Sequence, residues 1–182
     1  AAFEQPMNLA RLRTYTDAIA ADNDATWKAR LMIETGRFPT AQAGTYWLRV
    51  VDKKFSRGKT YVIAENCMNG LQKPALAAML RHELGGGTPT PYEPLFTSEW
   101  AFPIIAHGDE SRAETVDIVG NLCCAADVLT EDFTGPELAV GDLIEVRNAG
   151  SYACTLTAQR FSSHQPPREL LVYGDGRVET EE

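Results

Sequence analysis

The sequence predicts a mainly β fold, a β-barrel or sandwich, preceded by the last helix and strand of an α/β barrel of the TIM type. From residue 41 onward, short β-rich runs alternate with Gly, Pro, Asn or Asp, which is typical of closed or stacked sheets. Before them stand an amphipathic stretch over residues 7–22 and an apolar run that ends on Glu34. A helix followed by a buried strand that ends in a functional group is what the last unit of an α/β barrel presents.

The spacing of apolar residues defines each predicted element. Helical spacing predicts a helix over residues 7–22, through Leu9, Leu12, Tyr15 and Ile19. Arg30–Glu34 is predicted to be a buried strand, Pro74–Arg81 a short helix, and residues 85–94, with their Gly and Pro, a loop. The later β-rich runs predict strands at Thr45–Val51, Thr60–Ala64, Thr115–Val119, Asp142–Val146, Ala153–Thr157 and Glu169–Tyr173.

These elements divide the chain into three predicted parts. Residues 1–40 form a terminal piece of the α/β barrel, residues 41–174 form the β-barrel domain, and residues 175–182 form a flexible acidic tail. With 182 residues, of which 44% are hydrophobic, the chain is long enough to bury a real core.

Composition excludes several functional classes. A net charge of -8 disfavours nucleic acid as a partner, because phosphate binding requires clustered Lys and Arg. No apolar run approaches the length of about 20 residues that spans a bilayer, so no membrane partner is expected. The spacing of the four cysteines fits neither a disulfide framework nor a zinc site, which favours reduced thiols in a cytoplasm. The three scattered histidines predict no metal site.

Glu34-Thr35-Gly36-Arg37 is the first stretch that could carry chemistry. It places an acid and an anion-binding cation close together, and the glycine lets the backbone approach a ligand. An aromatic nitrogen cofactor that carries a phosphate needs this pairing. The alternative is a turn at the end of a strand with a surface ion pair.

Two further stretches offer a thiol and a phenol. Cys123 lies in the loop 120–127, after a predicted buried strand, and is either a reactive thiol or a small buried hydrophobe. Tyr152 follows a Gly150 turn, where its hydroxyl either reaches a pocket or packs against the fold.

Six motifs in this order resemble the fold-type III pyridoxal-phosphate-dependent decarboxylases, the group of ornithine, diaminopimelate and arginine decarboxylases. The matching stretches cover about 140 residues: Glu34–Arg37, Cys67–Asn69, Gly120–Asp127, Gly141–Leu143, Gly150–Tyr152 and Pro167–Val172. The sequence at Ile33–Arg37 and Ala41–Ala43 most resembles that of the butirosin-type decarboxylase, the branch that acts on a glutamyl group carried by an acyl carrier protein.

The resemblance implies pyridoxal 5'-phosphate as cofactor and a role for each matched residue. Glu34 would contact the pyridine nitrogen, while Gly36, Arg37 and Tyr152 would contact the phosphate. Cys123 falls on the catalytic Cys, which the family presents across a homodimer interface to protonate the carbon that loses CO2. Asp127 ends the same motif and is expected to be structural.

Departures from the family pattern bear on the substrate. Cys124 stands where the family usually has an acid for a distal ammonium group, and Ala78 stands where ornithine enzymes supply a second acid. Lys73 replaces an Arg of diaminopimelate enzymes. Because a buried ammonium without a partner is costly, Lys73 and Cys124 predict a substrate with an anionic or carbonyl-bearing far end, or one tethered to a carrier protein.

The family's Schiff-base Lys and its Gly-rich phosphate loop have no counterpart before Glu34. The sequence therefore predicts the C-terminal portion of a decarboxylase, inactive alone, which works as a homodimer or with a complementary N-terminal barrel chain. The alternative is a non-catalytic, decarboxylase-like dimerisation or regulatory domain.

Overall fold

The computed structural model describes residues 9–22, 36–83 and 102–180. In chain order the helices are α1 (Leu9–Asp22), α2 (Arg37–Thr40) and α3 (Gln72–Glu83). The strands are β1 (Tyr46–Ser56), β2 (Lys59–Ala64), β3 (Ile104–His107), β4 (Asp109–Gly120), β5 (Val128–Glu137), β6 (Leu143–Val146), β7 (Leu170–Val172) and β8 (Val178–Thr180). Short 3-10 turns occupy Ala41–Ala43, Cys154–Leu156 and Phe161–Ser163.

Six of these strands form one sheet in the order β3-β6-β1-β2-β4-β5. The pairings are antiparallel except that of β2 with β4, which is parallel. The edge strands β3 and β5 approach each other, and at the corner after β3 a side chain on Gly108 would collide with the Glu137 carbonyl. The sheet therefore rolls into a nearly closed barrel, which confirms the predicted mainly β barrel.

The core follows from alternation along the strands. Every second residue turns its side chain inward and is almost completely buried, as at Leu48, Val50, Val62, Ala64, Val116, Ile118, Ile144 and Val146. Of their neighbours along the chain, Trp47 and Leu143 are exposed, whereas Asp117 and Glu145 are buried by polar partners. One face of each strand thus fills the barrel interior.

Buried carboxylates replace ladder hydrogen bonds where the β4–β5 register shifts. Asp117 is buried, accepts the backbone N–H of Asp132 at 2.8 Å and pairs with Lys59 at 3.0 Å. Asp132 has a positive φ of 50°. The bulge would otherwise leave a backbone donor unpaired, and a buried donor without a partner is destabilising.

Most predicted elements of the barrel are confirmed, although several strands are longer than predicted. One prediction is wrong: residues Ala153–Thr157 contain the 3-10 turn Cys154–Leu156 and no strand. The Thr157 hydroxyl donates to the Ala153 carbonyl and accepts the Gln72 backbone N–H. One local bond and one bond to the distant Gln72 thus outweigh the β propensity of the segment. The predicted strand 30–34 and loop 85–94 lie outside the described residues.

The end of the chain also differs from its prediction. Where a frayed tail was expected beyond Gly174, β8 pairs with β7 around a turn in which Gly176 has a φ of 85°. The Arg177 guanidinium stacks on the Tyr173 ring at 3.6 Å. Within the described ranges, no helix is long and apolar enough to cross a membrane.

Candidate functional site

Sheet register brings four chemistry-bearing segments to one end of the barrel. Tyr46 at the start of β1 pairs with Val146 at the end of β6, so the segment before β1 and the segment after β6 emerge side by side. Ala64 at the end of β2 pairs with Gly120 at the end of β4. The turn that leads to α3 and the loop that carries Cys123 therefore also emerge together.

Backbone contacts join the segment before β1 to the turn after β6. The Ala149 N–H donates to the Gly44 carbonyl and the Gly150 N–H to the Ala41 carbonyl, both at 2.9 Å. A Cβ on Gly44 would lie 2.5 Å from the Gly150 backbone. The Arg37 guanidinium adds a bond of 2.8 Å to the Asn148 carbonyl. The two segments thus form one unit that only glycines permit.

This unit brings together three of the four residues predicted to bind the cofactor. Tyr152 has a left-handed φ of 60°, and its hydroxyl occupies the space that a Cβ on Gly36 would need. Arg37, adjacent to Gly36, is buried and stacks over the Phe102 ring at 4.3 Å. The fourth residue, Glu34, lies outside the described residues.

Lys73, which the sequence assigned to the substrate, lies beside the same unit. Its side chain is buried, and Nζ lies 5.5 Å from the centroid of the Tyr152 ring. The pKa of Lys73 is lowered, first by desolvation and then by the charge of Arg37. The Lys73 ammonium thus lies in a desolvated environment next to a second positive charge. A bound anion would stabilise both charges.

Cys123 and Cys124 lie in the loop between β4 and β5, which we call the Cys loop (residues 120–127). Cys123 is exposed and Cys124 is half-buried. Within the described part of the chain, the thiol of Cys123 has one hydrogen-bonding neighbour, the Ser162 hydroxyl at 3.9 Å. No hydrogen bond between described residues joins Cys123 to Tyr152 or Arg37.

Asp127 has the structural role expected of it. It is buried, and its carboxylate accepts the backbone N–H groups of Leu122 and Met68 at 3.0 and 2.8 Å. Burial, and secondarily the negative charge of Asp127, raises the pKa of the Cys67 thiol. Among the described residues, no group of three His, Cys, Asp or Glu side chains could hold a metal ion.

Three partners of this site were missing from the sequence reasoning. Phe102 supports Arg37, Asn148 accepts its hydrogen bond, and Ser162 contacts Cys123. Asn148 precedes a Gly turn and has a φ of 60°, a conformation that Asn adopts more readily than most residues. An Asn before a Gly turn was the only local indication, within these three residues, of a special backbone conformation. Phe102 and Ser162 carry none, because their partners lie far away in the chain.

Comparison with known proteins agrees with this geometry. A family model described as the pyridoxal-dependent decarboxylase C-terminal sheet domain matches residues 15–150. The chain belongs to this family. The family suggested by the sequence motifs is therefore confirmed.

Two curated relatives illustrate the range of the family. The L-glutamyl-[BtrI acyl-carrier protein] decarboxylase of Niallia circulans is 28% identical over 170 residues, which are 92% of this chain and 37% of the relative. A diaminopimelate decarboxylase of Actinosynnema pretiosum subsp. auranticum is 31% identical over 158 residues, 84% of this chain and 31% of the relative. The chain thus spans about a third of the length of the relatives it matches.

A solved structure supports the fold. The diaminopimelate decarboxylase of M. jannaschii, in complex with L-lysine, superposes with a TM-score of 0.68 at 23% identity. The match covers 91% of this chain and 33% of the other. The decarboxylase C-terminal domain fold is therefore shared.

The glycine contact generates a stability prediction. Gly44→Ala should destabilise the protein by about 1–3 kcal/mol, because the added methyl would collide with the Gly150 backbone. Its own backbone is extended, with φ -120° and ψ 140°, so the cost is steric alone. Urea denaturation measures it. Gly174→Ala, which meets open space, is the matched control and should change stability by less than about 0.5 kcal/mol; equal effects of both variants would contradict the proposed packing.

Proposed function

We propose that this chain is the C-terminal part of a pyridoxal-phosphate-dependent decarboxylase that removes CO2 from the α carbon of an amino acid or of a carrier-tethered aminoacyl group. The observation that carries the proposal is the convergence of Gly36, Arg37, Tyr152 and Lys73 at one end of the barrel. The family model that matches this chain describes a domain of pyridoxal-dependent decarboxylases. The remaining part of the site, including the Lys that bonds the cofactor, would come from an α/β barrel upstream.

The residues present fit the phosphate of the cofactor. The absence of a side chain at Gly36 leaves room for the Tyr152 hydroxyl, and a hydroxyl is a good donor to phosphate oxygens. The charges of Arg37 and Lys73 make this end of the barrel attractive to an anion. Glu34 is assigned to the pyridine nitrogen by its motif alone. When bound, pyridoxal phosphate supplies the electron sink for the electron pair left by departing CO2.

Cys123 is proposed as the general acid that donates a proton to that carbon. The thiol is exposed, and hydrogen bonds do not join it to the residues proposed to hold the phosphate. An outward-facing thiol suits a cofactor held by a second subunit, so we propose a homodimer; a complementary N-terminal barrel chain is the other possible source of the remaining site. A thiol that serves as an acid must stay reduced, which favours a cytoplasmic location.

Lys73 and Cys124 are proposed to define the far end of the substrate pocket. The buried ammonium of Lys73 lies close to Tyr152, where it can pair with a carboxylate or a carbonyl oxygen of the substrate. Cys124 provides no negative charge for a distal amine. The relative from Niallia circulans is named for a glutamyl group on a carrier protein, which has such a far end. We therefore favour a glutamyl-like substrate, free or carrier-bound.

The central test is cofactor binding by the chain expressed with its upstream barrel. The wild type should show the visible absorbance of bound pyridoxal phosphate and release CO2 from a suitable substrate. Gly36→Ala should weaken cofactor binding by about tenfold or more, because the new methyl displaces the Tyr152 hydroxyl from the phosphate.

Gly174→Ala is again the control and should bind the cofactor as the wild type does. A colourless wild-type protein that binds no pyridoxal phosphate would overturn the proposal and favour the non-catalytic dimerisation or regulatory domain.

A second prediction concerns the acid. Cys123→Ala should lower kcat by about 10²- to 10⁴-fold, the usual contribution of a positioned proton donor, while cofactor absorbance and affinity stay unchanged. Steady-state CO2 release and spectroscopic titration measure the two quantities. Cys154→Ala changes another partly accessible thiol and should leave kcat unaltered. Loss of cofactor binding in Cys123→Ala would show that the role is misassigned.

A third prediction concerns substrate choice. Lys73→Gln should lower kcat/KM for a glutamyl substrate by about tenfold, through loss of a charge-assisted hydrogen bond, with a much smaller effect on an amino acid whose side chain is uncharged. Lys73→Arg, which keeps the positive charge, should retain most of the wild-type kcat/KM for the glutamyl substrate. The ratio of kcat/KM for the two substrates distinguishes this role from a contribution to cofactor binding, because weaker cofactor binding would lower kcat/KM for both substrates alike. Robust wild-type activity on ornithine or lysine would refute the assignment.

A further inference from the structure

The two residues that flank Cys123 are both hydrogen-bonded to Asp127. The Leu122 N–H donates to Oδ2 of Asp127 at 3.0 Å, and the Asp127 N–H donates to the Cys124 carbonyl at 3.1 Å. The Gly120 N–H donates to the Asp127 carbonyl at 2.8 Å and closes the base of the Cys loop. An exposed thiol is thus carried by a loop that two backbone hydrogen bonds close and that the buried Asp127 side chain holds at Leu122.

The other carboxylate oxygen of Asp127 binds a different part of the site. Oδ1 accepts the Met68 N–H at 2.8 Å, and the residue before Met68 is the buried Cys67. From Cys67 the chain turns directly into α3, since the Leu71 N–H donates to the Cys67 carbonyl at 3.0 Å. Lys73 lies in the first turn of α3. Asp127 therefore connects the Cys loop to the element that carries Lys73.

The contact with Gly120 shows that the Asp127 side chain is tightly packed. A Cβ on Gly120 would overlap the Asp127 carboxylate, so the carboxylate packs directly against the backbone at the end of β4. Because each oxygen accepts a different backbone N–H, the side chain cannot rotate without breaking one of the two bonds.

We propose that Asp127 is a positioning residue for proton transfer: it fixes the direction of the Cys123 thiol. This inference rests on the proposed role of Cys123 as proton donor. An acid on a mobile loop would spend most of its time out of line with the acceptor carbon, and held geometry is what lowers this cost. Asp127 touches neither substrate nor cofactor in this role; its side chain acts through the backbone N–H of Leu122, directly before Cys123.

The decisive experiment is a double-mutant cycle in the complete enzyme. In Asp127→Asn, one carboxylate oxygen becomes an NH2 group that faces a backbone N–H, so one of the two bonds is lost while the shape is kept. We expect kcat to fall about tenfold with cofactor affinity unchanged. In the Cys123→Ala background the same substitution should have almost no further effect on kcat, because the positioned group is already absent.

Asp117→Asn is the matched control. Asp117 is also a buried aspartate of this sheet that accepts a backbone N–H, but it serves the β4–β5 bulge. Asp117→Asn should lower the free energy of unfolding to a similar degree without changing kcat. If Asp127→Asn lowers kcat equally in the wild-type and Cys123→Ala backgrounds, or behaves like Asp117→Asn, Asp127 is only structural and the inference is wrong.

A measurement independent of turnover separates this inference from the proposed function. Amide hydrogen exchange of Leu122 should accelerate about tenfold in Asp127→Asn and stay unchanged in Asp117→Asn. If the wild-type enzyme releases no CO2, the proposed function fails, and Leu122 exchange alone then decides whether Asp127 holds the Cys loop. Unchanged exchange would overturn the inference even in an active enzyme.

A milder variant covers the case in which Asp127→Asn does not fold. Cys67→Ala removes the buried thiol next to Met68, whose N–H binds Oδ1 of Asp127, and leaves the Cys loop sequence intact. We expect kcat to fall about threefold, with no such fall in the Cys123→Ala background. An equal fall in both backgrounds would count against the inference.

Discussion

The close approach of the Gly44 and Gly150 backbones is the constraint on which the proposed cofactor end of the barrel depends. With no side chain on either residue, the turn after β6 lies against the segment before β1 and donates two backbone hydrogen bonds to it. This contact sets the path of the chain into Tyr152 and thereby brings its hydroxyl over Gly36. Any side chain at Gly44 would separate the two segments and displace the Tyr152 hydroxyl from its position over Gly36.

The register of the sheet has a similar effect on the other half of the site. Because β2 and β4 are parallel and end together at Ala64 and Gly120, the turn toward α3 and the Cys loop start as neighbours. One buried carboxylate, that of Asp127, then satisfies backbone donors from both. A barrel supplies the rigid frame, and irregular segments at one of its ends carry the residues of the proposed site, a division common to many binding folds.

The sequence predicted those strands in which inward and outward residues alternate cleanly, such as β1 and β2, since burial on one face leaves a period of two. β5 escaped prediction because Asp132 and the pair Gly135-Pro136 are typical of turns, whereas here they lie in a strand that pairs with β4 around bulges. At Ala153–Thr157 the composition favoured a strand, but Thr157 hydrogen-bonds to its own turn and to α3 instead. Local propensity yielded to contacts with distant residues.

By itself the sequence determined the family. It also named the groups of the proposed site, because Gly36, Arg37, Cys123 and Tyr152 stand in motifs whose order is visible along the chain. Tertiary structure alone decided how these groups are held. The carbonyl that binds Arg37 lies 111 residues away, and the N–H that binds Oδ1 of Asp127 lies 59 residues away. No local pattern encodes such a partner, since the pairing arises only when the sheet has placed both strand ends at the same side of the barrel.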